Sequence, residues 1–240
     1  MRPLGFSTGA LAKGDFQKGL DIQRGLGVTI IELSALRGEE LLPLMKALPK
    51  LDLQGFSHVS LHAPSKLGGL DELGLVAILK DVPASWPIIV HPDLIQKPSH
   101  WRFFGPRLCL ENMDQRKPVG RTVPEMESVF KQLPDASFCF DIGHARQVDP
   151  TMGIAIGMLR RFGGRLRQIH VSEVDPQGKH IPISFAARCA FQRVARLIPE
   201  GCPIILESMV DPDEARNEIE VAIQALTGSP DLRDISAGSF

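Results

Sequence analysis

The 240-residue sequence contains no tyrosine and only four cysteines, and we have no physical account of the missing tyrosine. The cysteines are Cys109, Cys139, Cys189 and Cys202, and no two of them form a C-x-x-C pair. Cys109 and Cys139 lie in apolar runs, where a free cysteine behaves as a small hydrophobe. This cysteine usage is typical of a protein of the reducing cytoplasm, which is the compartment that we expect.

The sequence also lacks an excess of either charge and any long apolar run. Lysine and arginine total 27 and aspartate and glutamate 28, so the formal net charge is −1. This balance argues against a broad nucleic-acid-binding surface, although it leaves room for a local basic rim. No apolar run approaches the roughly 20 residues of a membrane span, and the first residues lack the apolar core of a signal peptide. We therefore expect a globular protein with no membrane partner, and the sequence does not indicate an oligomeric state.

Short apolar or β-branched runs alternate along the chain with segments of helical periodicity. The predicted strands cover residues 2–6, 28–31, 58–61, 87–90, 107–110, 138–140, 166–169 and 203–206. The predicted helices cover 15–24, 38–48, 71–79, 124–133, 151–162, 185–197 and 213–226, whereas 94–104 is expected to be irregular. Eight βα units of this kind predict an α/β fold, a single (β/α)8 TIM barrel over residues 1–240, with a short tail at the end. A doubly wound open sheet is the competing architecture, but it would gather its functional groups at one switch point.

The stretch from Phe138 to Asp149 carries the clearest functional pattern. Its apolar run ends in Asp141, and His144 follows three residues later, with Gly143 between them to let the backbone turn sharply. A carboxylate and an imidazole just past a buried strand are unsuited to packing but suited to holding a divalent metal. A helix-capping aspartate followed by a loop histidine is the alternative interpretation.

Nearly every predicted strand ends in a residue of a metal-ligand type. These residues are Glu32, His62, His91, Glu111, Asp141, His170 and Glu207. In a barrel they would converge on the carboxyl-terminal mouth. Carboxylates gathered there would repel each other unless some protonated or a cation bound among them. Histidines mixed with the carboxylates favour zinc, manganese, iron or cobalt over calcium, so the pattern predicts a divalent-metal site.

Six short motifs extend the pattern over nearly the whole chain. They are His62-Ala-Pro, Val90-His91-Pro92, Leu110-Glu111-Asn112, Asp141-Ile-Gly-His144, Ile169-His170-Val171 and Leu206-Glu207-Ser208. This series resembles the xylose-isomerase-like barrels, a superfamily that includes sugar and sugar-phosphate isomerases and epimerases and the endonuclease IV type of abasic-site nuclease. The resemblance implies that Glu111, Asp141, His170 and Glu207 hold a metal. It also implies that Glu111 and Glu207 are catalytic and exchange a proton with the substrate.

The nuclease branch of the superfamily implies up to three zinc ions. By resemblance His62, His91 and Glu111 would bind the first, the cluster of Glu111, Asp141, His170 and Glu207 the second, and His144 and His180 the third. The nuclease pattern has an Asp-x-His pair where this chain reads Gly178-Lys179-His180, and the nearby Asp175 is off the spacing. A third zinc would therefore lack one ligand unless Asp175 swung in.

Three functional hypotheses remain open at this point. The leading one is a sugar or sugar-phosphate isomerase or epimerase that uses one to three ions of zinc, manganese or cobalt, with Glu32, His144 and Lys179 contacting a small sugar-like substrate. The second is an abasic-site phosphodiesterase, which would have to neutralise several phosphates. The candidate residues for that task are Arg37, Lys66, Arg116 and Arg146. The third is a barrel that binds a metal and a ligand without turnover, because a fold does not determine function.

Overall fold

A computed structural model describes residues 2–227 and shows eight parallel strands that close into a barrel. The described strands are β1 (Leu4–Ser7), β2 (Ile30–Ser34), β3 (His58–His62), β4 (Ile88–Val90), β5 (Leu108–Glu111), β6 (Ser137–Asp141), β7 (Leu166–Val171), β8 (Glu173–Val174), β9 (His180–Ile181) and β10 (Ile204–Leu206). Strand β10 pairs in parallel with both β1 and β7, which closes the ring, while β8 and β9 form a separate antiparallel hairpin. The predicted TIM barrel is confirmed. The expected tail lies outside the described residues, and the single-domain organisation over residues 1–240 stays a prediction.

Helices cover the outside of the barrel and connect its strands. They are α1 (Thr8–Ala12), α2 (Phe16–Leu26), α3 (Gly38–Ala47), α4 (Glu72–Leu79), α5 (Pro98–Trp101), α6 (Val123–Gln132), α7 (Ile142–Val148), α8 (Gly153–Phe162), α9 (Phe185–Gln192) and α10 (Ala215–Leu226). Short 3₁₀ helices occupy Leu48–Lys50, Pro92–Leu94, Arg102–Arg107, Gly163–Arg165, Ala195–Leu197 and Pro212–Glu214. Among residues 2–227, no helix combines the length and the apolar composition needed to cross a membrane.

Local side-chain caps explain where several helices begin. Asp15, Asp71, Thr122 and Ser184 each accept a hydrogen bond from the backbone N–H three residues ahead, at the start of α2, α4, α6 and α9. Such a bond satisfies one of the N–H groups that a helix leaves unpaired at its first turn. These short-range contacts keep the observed helix starts within about two residues of the predicted ones, which is the usual uncertainty of a helix boundary.

The structure corrects three expectations. Strand β2 continues to Ser34, because Leu33 and Ser34 extend its pairing with β3, so Glu32 lies inside the strand and not at its end. Helix α7 follows Asp141 directly, and the β8–β9 hairpin lies between β7 and α9, although neither element was predicted. Gly143 does not make a sharp turn, since it lies within α7. It is glycine because a Cβ there would collide with the backbone carbonyl of Ser172.

Alternation along the barrel strands separates an outer from an inner face. On β6, Phe138 and Phe140 join the large apolar cluster under the helices, whereas Cys139 lies in a small cluster with Ile89 and Cys109. The residue two positions beyond Cys139 therefore points into the barrel as well, and this residue is Asp141. The same period directs the ligand-type residues of β5 and β7 toward the barrel axis. The free, fully buried Cys109 and Cys139 confirm the expectation that they act as small core residues.

Candidate metal centre and substrate cavity

A cavity of about 570 Å³ opens at the carboxyl ends of the barrel strands. Its lining includes six of the eight predicted metal ligands, namely His62, His91, Glu111, His144, His180 and Glu207. Asp141 and His170 do not line the cavity and are fully buried. A pocket of this size suits a small-molecule ligand.

Four ligand-type side chains converge at this mouth as the sequence predicted. Glu111, Asp141, His170 and Glu207 each offer one ligand atom within 4.8 Å of the others. The Nδ1 atom of His170 lies 3.1 Å from Oε1 of Glu111 and 3.4 Å from Oε2 of Glu207. Strands β5, β6 and β7 are neighbours in the barrel, so residues that are far apart in sequence meet here.

The two carboxylate oxygens of Asp141 have different environments. Its Oδ1 atom accepts a hydrogen bond of 2.6 Å from the backbone N–H of His144 and so caps α7. Its Oδ2 atom is buried and has no hydrogen-bond partner among the described residues. A buried carboxylate oxygen without a partner is costly, and a cation would supply the missing interaction. The donor set and this unpartnered oxygen therefore fit a divalent metal.

The crowded carboxylates and imidazoles of the cluster shift each other's pKa values. Burial raises the pKa of Asp141 well above its usual value, and the charge of Glu111 raises it further. Burial also opposes ionisation of Glu111, but the charge of His170 and hydrogen bonds from His170 and His62 outweigh it and hold the pKa of Glu111 well below its usual value. Burial disfavours protonation of His170, yet neighbouring carboxylates such as Glu207 raise its pKa well above the usual value. The crowding of carboxylates thus favours protonation of His170 and Asp141, and a bound cation would relieve the same repulsion.

A second group shares Glu111 with the first. The Nε2 atoms of His62 and His91 lie 3.1 and 3.2 Å from Oε2 of Glu111, on the oxygen that does not face His170. His62 donates its Nδ1–H to the carbonyl of Ala63 at 2.7 Å, which directs Nε2 toward Glu111. Burial lowers the pKa of His62, but the Glu111 hydrogen bond outweighs it and raises that pKa to about 9. Burial lowers the pKa of His91, and the nearby charge of His62 adds to this effect.

A third group contains the two remaining predicted ligands. Asp141, His144 and His180 each offer a ligand atom within 4.8 Å of the others. The Nδ1 atom of His144 lies 2.9 Å from the carbonyl of Asn112, and Nδ1 of His180 lies 2.7 Å from the Ser172 hydroxyl. These contacts orient both imidazoles at the edge of the cavity.

An arginine packs against Gly178, the position at which the resemblance to the nuclease branch implies an aspartate. Gly178 has a left-handed φ of 73°, and any Cβ at this position would overlap the guanidinium group of Arg116. Arg116 forms an ion pair of 2.9 Å with Asp114 and donates hydrogen bonds to the carbonyls of Gln177 and Gly178. Asp175 does not reach the third group, because its carboxylate accepts from the backbone N–H of Lys179 at 2.8 Å and closes the β8–β9 turn.

The predicted substrate contacts separate into two sets. His144 and Lys179 line the cavity. Glu32 does not line it, because Glu32 faces the barrel interior and is fully buried. Of the four basic residues considered for phosphate binding, Arg37, Lys66 and Arg116 line the cavity, whereas Arg146 pairs at 2.9 Å with Glu173.

Sequence reasoning missed several polar residues of the mouth and of the barrel interior. Ser7 and Ser34 hydrogen-bond to each other at the cavity wall, and Ser65 lies on the same wall. Ser60 and Gln168 contact Glu32 inside the barrel. The two-residue period of β2, β3 and β7 was the signal that would have placed Ser34, Ser60 and Gln168 on the inner face.

No protein-family model matches the chain, and no curated protein matches its sequence. Solved structures do match. An L-ribulose 3-epimerase aligns with 95% of this chain and 92% of its own length, at 13% identity and a TM-score of 0.52. The 3-keto-D-glucoside 4-epimerase YcjR from E. coli aligns with 95% of this chain and 100% of its own, at 12% identity and a TM-score of 0.56. A putative sugar phosphate isomerase/epimerase from Anabaena variabilis aligns with 91% of this chain and 88% of its own, at 13% identity and a TM-score of 0.60. At these identities the likeness shows the fold alone, which is the (β/α)8 barrel that the sequence predicted.

Proposed function

We propose that this protein is a divalent-metal-dependent isomerase or epimerase of a sugar or sugar phosphate. The observation that carries the proposal is the convergence of Glu111, Asp141, His170 and Glu207 at the base of a cavity of about 570 Å³. Two of these carboxylates, Glu111 and Glu207, also line the cavity and so face a bound ligand. The structural neighbours are named as sugar epimerases and isomerases, which supports this choice.

The four-residue cluster would hold the metal, and its mixed oxygen and nitrogen donors suit zinc, manganese or cobalt. When bound, such an ion polarises a carbonyl and its adjacent hydroxyl. Asp141 and His170 are fully buried, so they anchor the centre without facing the substrate. The two cavity-lining glutamates remain available for proton transfer.

Glu111 and Glu207 would carry the proton between the two faces or two carbons of the substrate. One carboxylate accepts the proton from the carbon next to the carbonyl, and the bonding electron pair moves toward the carbonyl oxygen. The other carboxyl group, which has taken up a proton from solvent before this step, gives that proton to carbon, and the two roles exchange in the reverse reaction. Neighbouring histidines hold the pKa of both glutamates below the usual value against the effect of burial, so either can serve as the accepting, ionised carboxylate at neutral pH.

The rim of the cavity supports a substrate with an anionic substituent. Arg37, Lys66 and Lys179 all line the cavity. Within residues 2–227, neither Lys66 nor Lys179 has a carboxylate at ion-pair distance, and Arg37 has only a 3.9 Å contact with the exposed Glu39. Three cations with little competition from carboxylates favour the phosphorylated form of a sugar over the neutral form.

Phosphodiester hydrolysis at abasic sites is the second candidate, and one observation favours it. The three groups of ligand-type residues share Glu111 and Asp141 and correspond to the three-zinc arrangement of the nuclease branch. The packing of Arg116 against Gly178 weighs against it, because a cation lies where that branch has a ligand carboxylate. We therefore rank this activity second.

Deuterium exchange tests the leading proposal without knowledge of the product. The protein is stripped with a chelator, reloaded with manganese, cobalt or zinc, and incubated in D₂O with a panel of ketoses, aldoses and their phosphates. Proton NMR should show metal-dependent loss of one carbon-bound proton signal from the substrate. Glu207→Gln should abolish the exchange, whereas Glu39→Gln, at an exposed acid outside the ligand groups, should retain it.

A parallel assay separates the two candidates. A fluorescent duplex with one abasic site is incubated with the same metal-loaded preparations. Chelator-sensitive incision by the pure protein, together with the absence of exchange on every sugar, would replace the isomerase proposal with the nuclease. Metal content measured for each variant separates loss of chemistry from loss of the ion.

A further inference from the structure

We propose that Glu32 is a positioning residue, which fixes the orientation and tautomer of His170 so that its Nδ1 atom is presented to the metal. This inference rests on the proposed metal-dependent function. Glu32 and His170 are both fully buried, and Oε2 of Glu32 lies 3.2 Å from Nε2 of His170. No direct contact of Glu32 with a substrate follows from the structure, because Glu32 does not line the cavity.

The two ring nitrogens of His170 face opposite environments. Nδ1 lies 3.1 Å from Glu111 and 3.4 Å from Glu207, inside the candidate metal cluster. Nε2 lies 3.2 Å from Oε2 of Glu32 and 3.0 Å from the side-chain nitrogen of Gln168. Because Nδ1 can bind a cation only when it carries no proton, the ring proton of a metal-bound His170 lies on Nε2, where the Glu32 carboxylate can accept it. A carboxylate behind a ligating histidine has this effect in metal sites generally.

A buried network holds Glu32 in place. Its Oε2 atom accepts hydrogen bonds from the Ser60 hydroxyl at 3.0 Å and from the Gln168 side-chain amide at 2.7 Å. Gln168 is anchored in turn through its Oε1 atom, 3.2 Å from Nε2 of His58. All these side chains lie on the inner faces of β2, β3 and β7, so the barrel itself fixes their spacing.

Packing alone does not account for a carboxylate at this position. Elsewhere in the barrel interior, Ile89, Cys109 and Cys139 form an apolar cluster. A buried carboxylate is costly unless it is paired and hydrogen-bonded, so an apolar residue would serve a purely structural purpose better. Glu32 pairs with His170, which is a candidate metal ligand. The cost of burying the Glu32 carboxylate is therefore connected to the metal site.

Direct ligation by Glu32 is the rival role. Its Oε1 atom is buried without a hydrogen-bond partner in the described part of the chain, and Glu32, His62, His170 and Glu207 have ligand atoms within 4.8 Å of one another. The three donors already directed at Oε2 make this arrangement less favourable than positioning.

Zinc binding by the full chain tests the inference. Unaltered protein, Glu32→Gln and the control Glu72→Gln are stripped of metal and titrated with zinc in the presence of a competing chelator. Glu72 is a matched buried carboxylate on α4, which accepts hydrogen bonds from the Lys97 backbone N–H and the Trp101 indole. It belongs to none of the ligand groups found in the described part of the chain. We expect Glu32→Gln to bind the same number of zinc ions with affinity reduced roughly 10- to 100-fold, and Glu72→Gln to match the unaltered protein.

A spectroscopic readout separates positioning from general loosening of the fold. Nitrogen-15 NMR of zinc-loaded protein with labelled histidine should show His170 bound through Nδ1 with a proton on Nε2, and Glu32→Gln should shift the Nε2–H resonance. Unchanged affinity together with an unchanged His170 signal in Glu32→Gln overturns the inference. Loss of a whole zinc equivalent also overturns it, since Glu32 would then be a ligand. If the unaltered protein binds no zinc, manganese or cobalt, the proposed function fails and the inference fails with it.

Discussion

The group formed by His62, His91 and Glu111 predicts a second zinc position whose affinity depends on pH in a defined way. Glu111 is ionised, because its pKa lies well below the usual value. His91 is neutral, because burial lowers its pKa. His62 carries a proton near neutral pH, because its contact with Glu111 outweighs burial and raises its pKa to about 9. A metal binds only the unprotonated imidazole nitrogen, so zinc must displace one proton here.

Displacement of this single proton sets the size of the pH effect on zinc affinity. Below the pKa of His62, each pH unit weakens zinc binding about tenfold, or about 1.4 kcal/mol. Between about pH 8 and about pH 6.5 the affinity of this position should fall about 30-fold, or about 2 kcal/mol. The stability of the metal-free protein depends on pH in the opposite direction to its zinc affinity. The raised pKa of His62 stabilises the fold fully below its unfolded value of 6.5, and this contribution is lost as the pH rises through about 9.

Zinc competition against a chromogenic chelator, calibrated at each pH, measures the affinity. Calorimetry in two buffers of different ionisation enthalpy counts the protons released. His62→Ala and His91→Ala should each remove one zinc equivalent and leave the cluster around Asp141 occupied. An unchanged stoichiometry in both variants would show that these histidines are substrate contacts or structure, and would favour a one-metal isomerase. Affinity that is flat with pH would refute the assignment of the displaced proton to His62.

Three further predictions concern the nuclease alternative and the fold. We expect no incision of an abasic-site duplex at rates near those of dedicated repair enzymes, and robust, chelator-sensitive cleavage by the pure protein would contradict this. Gly178→Ala should cost about 1–3 kcal/mol, because the left-handed backbone and the Arg116 guanidinium both oppose a Cβ; thermal unfolding measures the loss, and adding Arg116→Ala should recover part of it. Phe138→Ala should cost about 3–5 kcal/mol in urea unfolding, because this fully buried ring packs against Phe130 and Phe162. A loss of unfolding free energy below about 1 kcal/mol would show that neighbouring side chains repack into the space left by the Phe138 ring.

The sequence by itself determined the number and order of the barrel strands and most of the residues that meet at its mouth. Each of these features depends on a pattern that is local in the chain. An apolar run ends at Glu111 and another at Asp141, and both residues close their strands in the structure. Helix starts were predictable for the same reason, since Asp71 caps a backbone N–H only three residues away.

Only the tertiary structure decided which atoms of these residues face each other. Glu32 was predicted at a strand end, but pairing of Ser34 with His62 extends β2 and moves Glu32 into the barrel interior. There it meets His170, which is 138 residues away in the chain. Gly143 is required because a Cβ there would collide with the backbone carbonyl of Ser172, which is distant in sequence. Closure of the barrel brings such distant groups into contact, and no local pattern in the sequence encodes a distance between them.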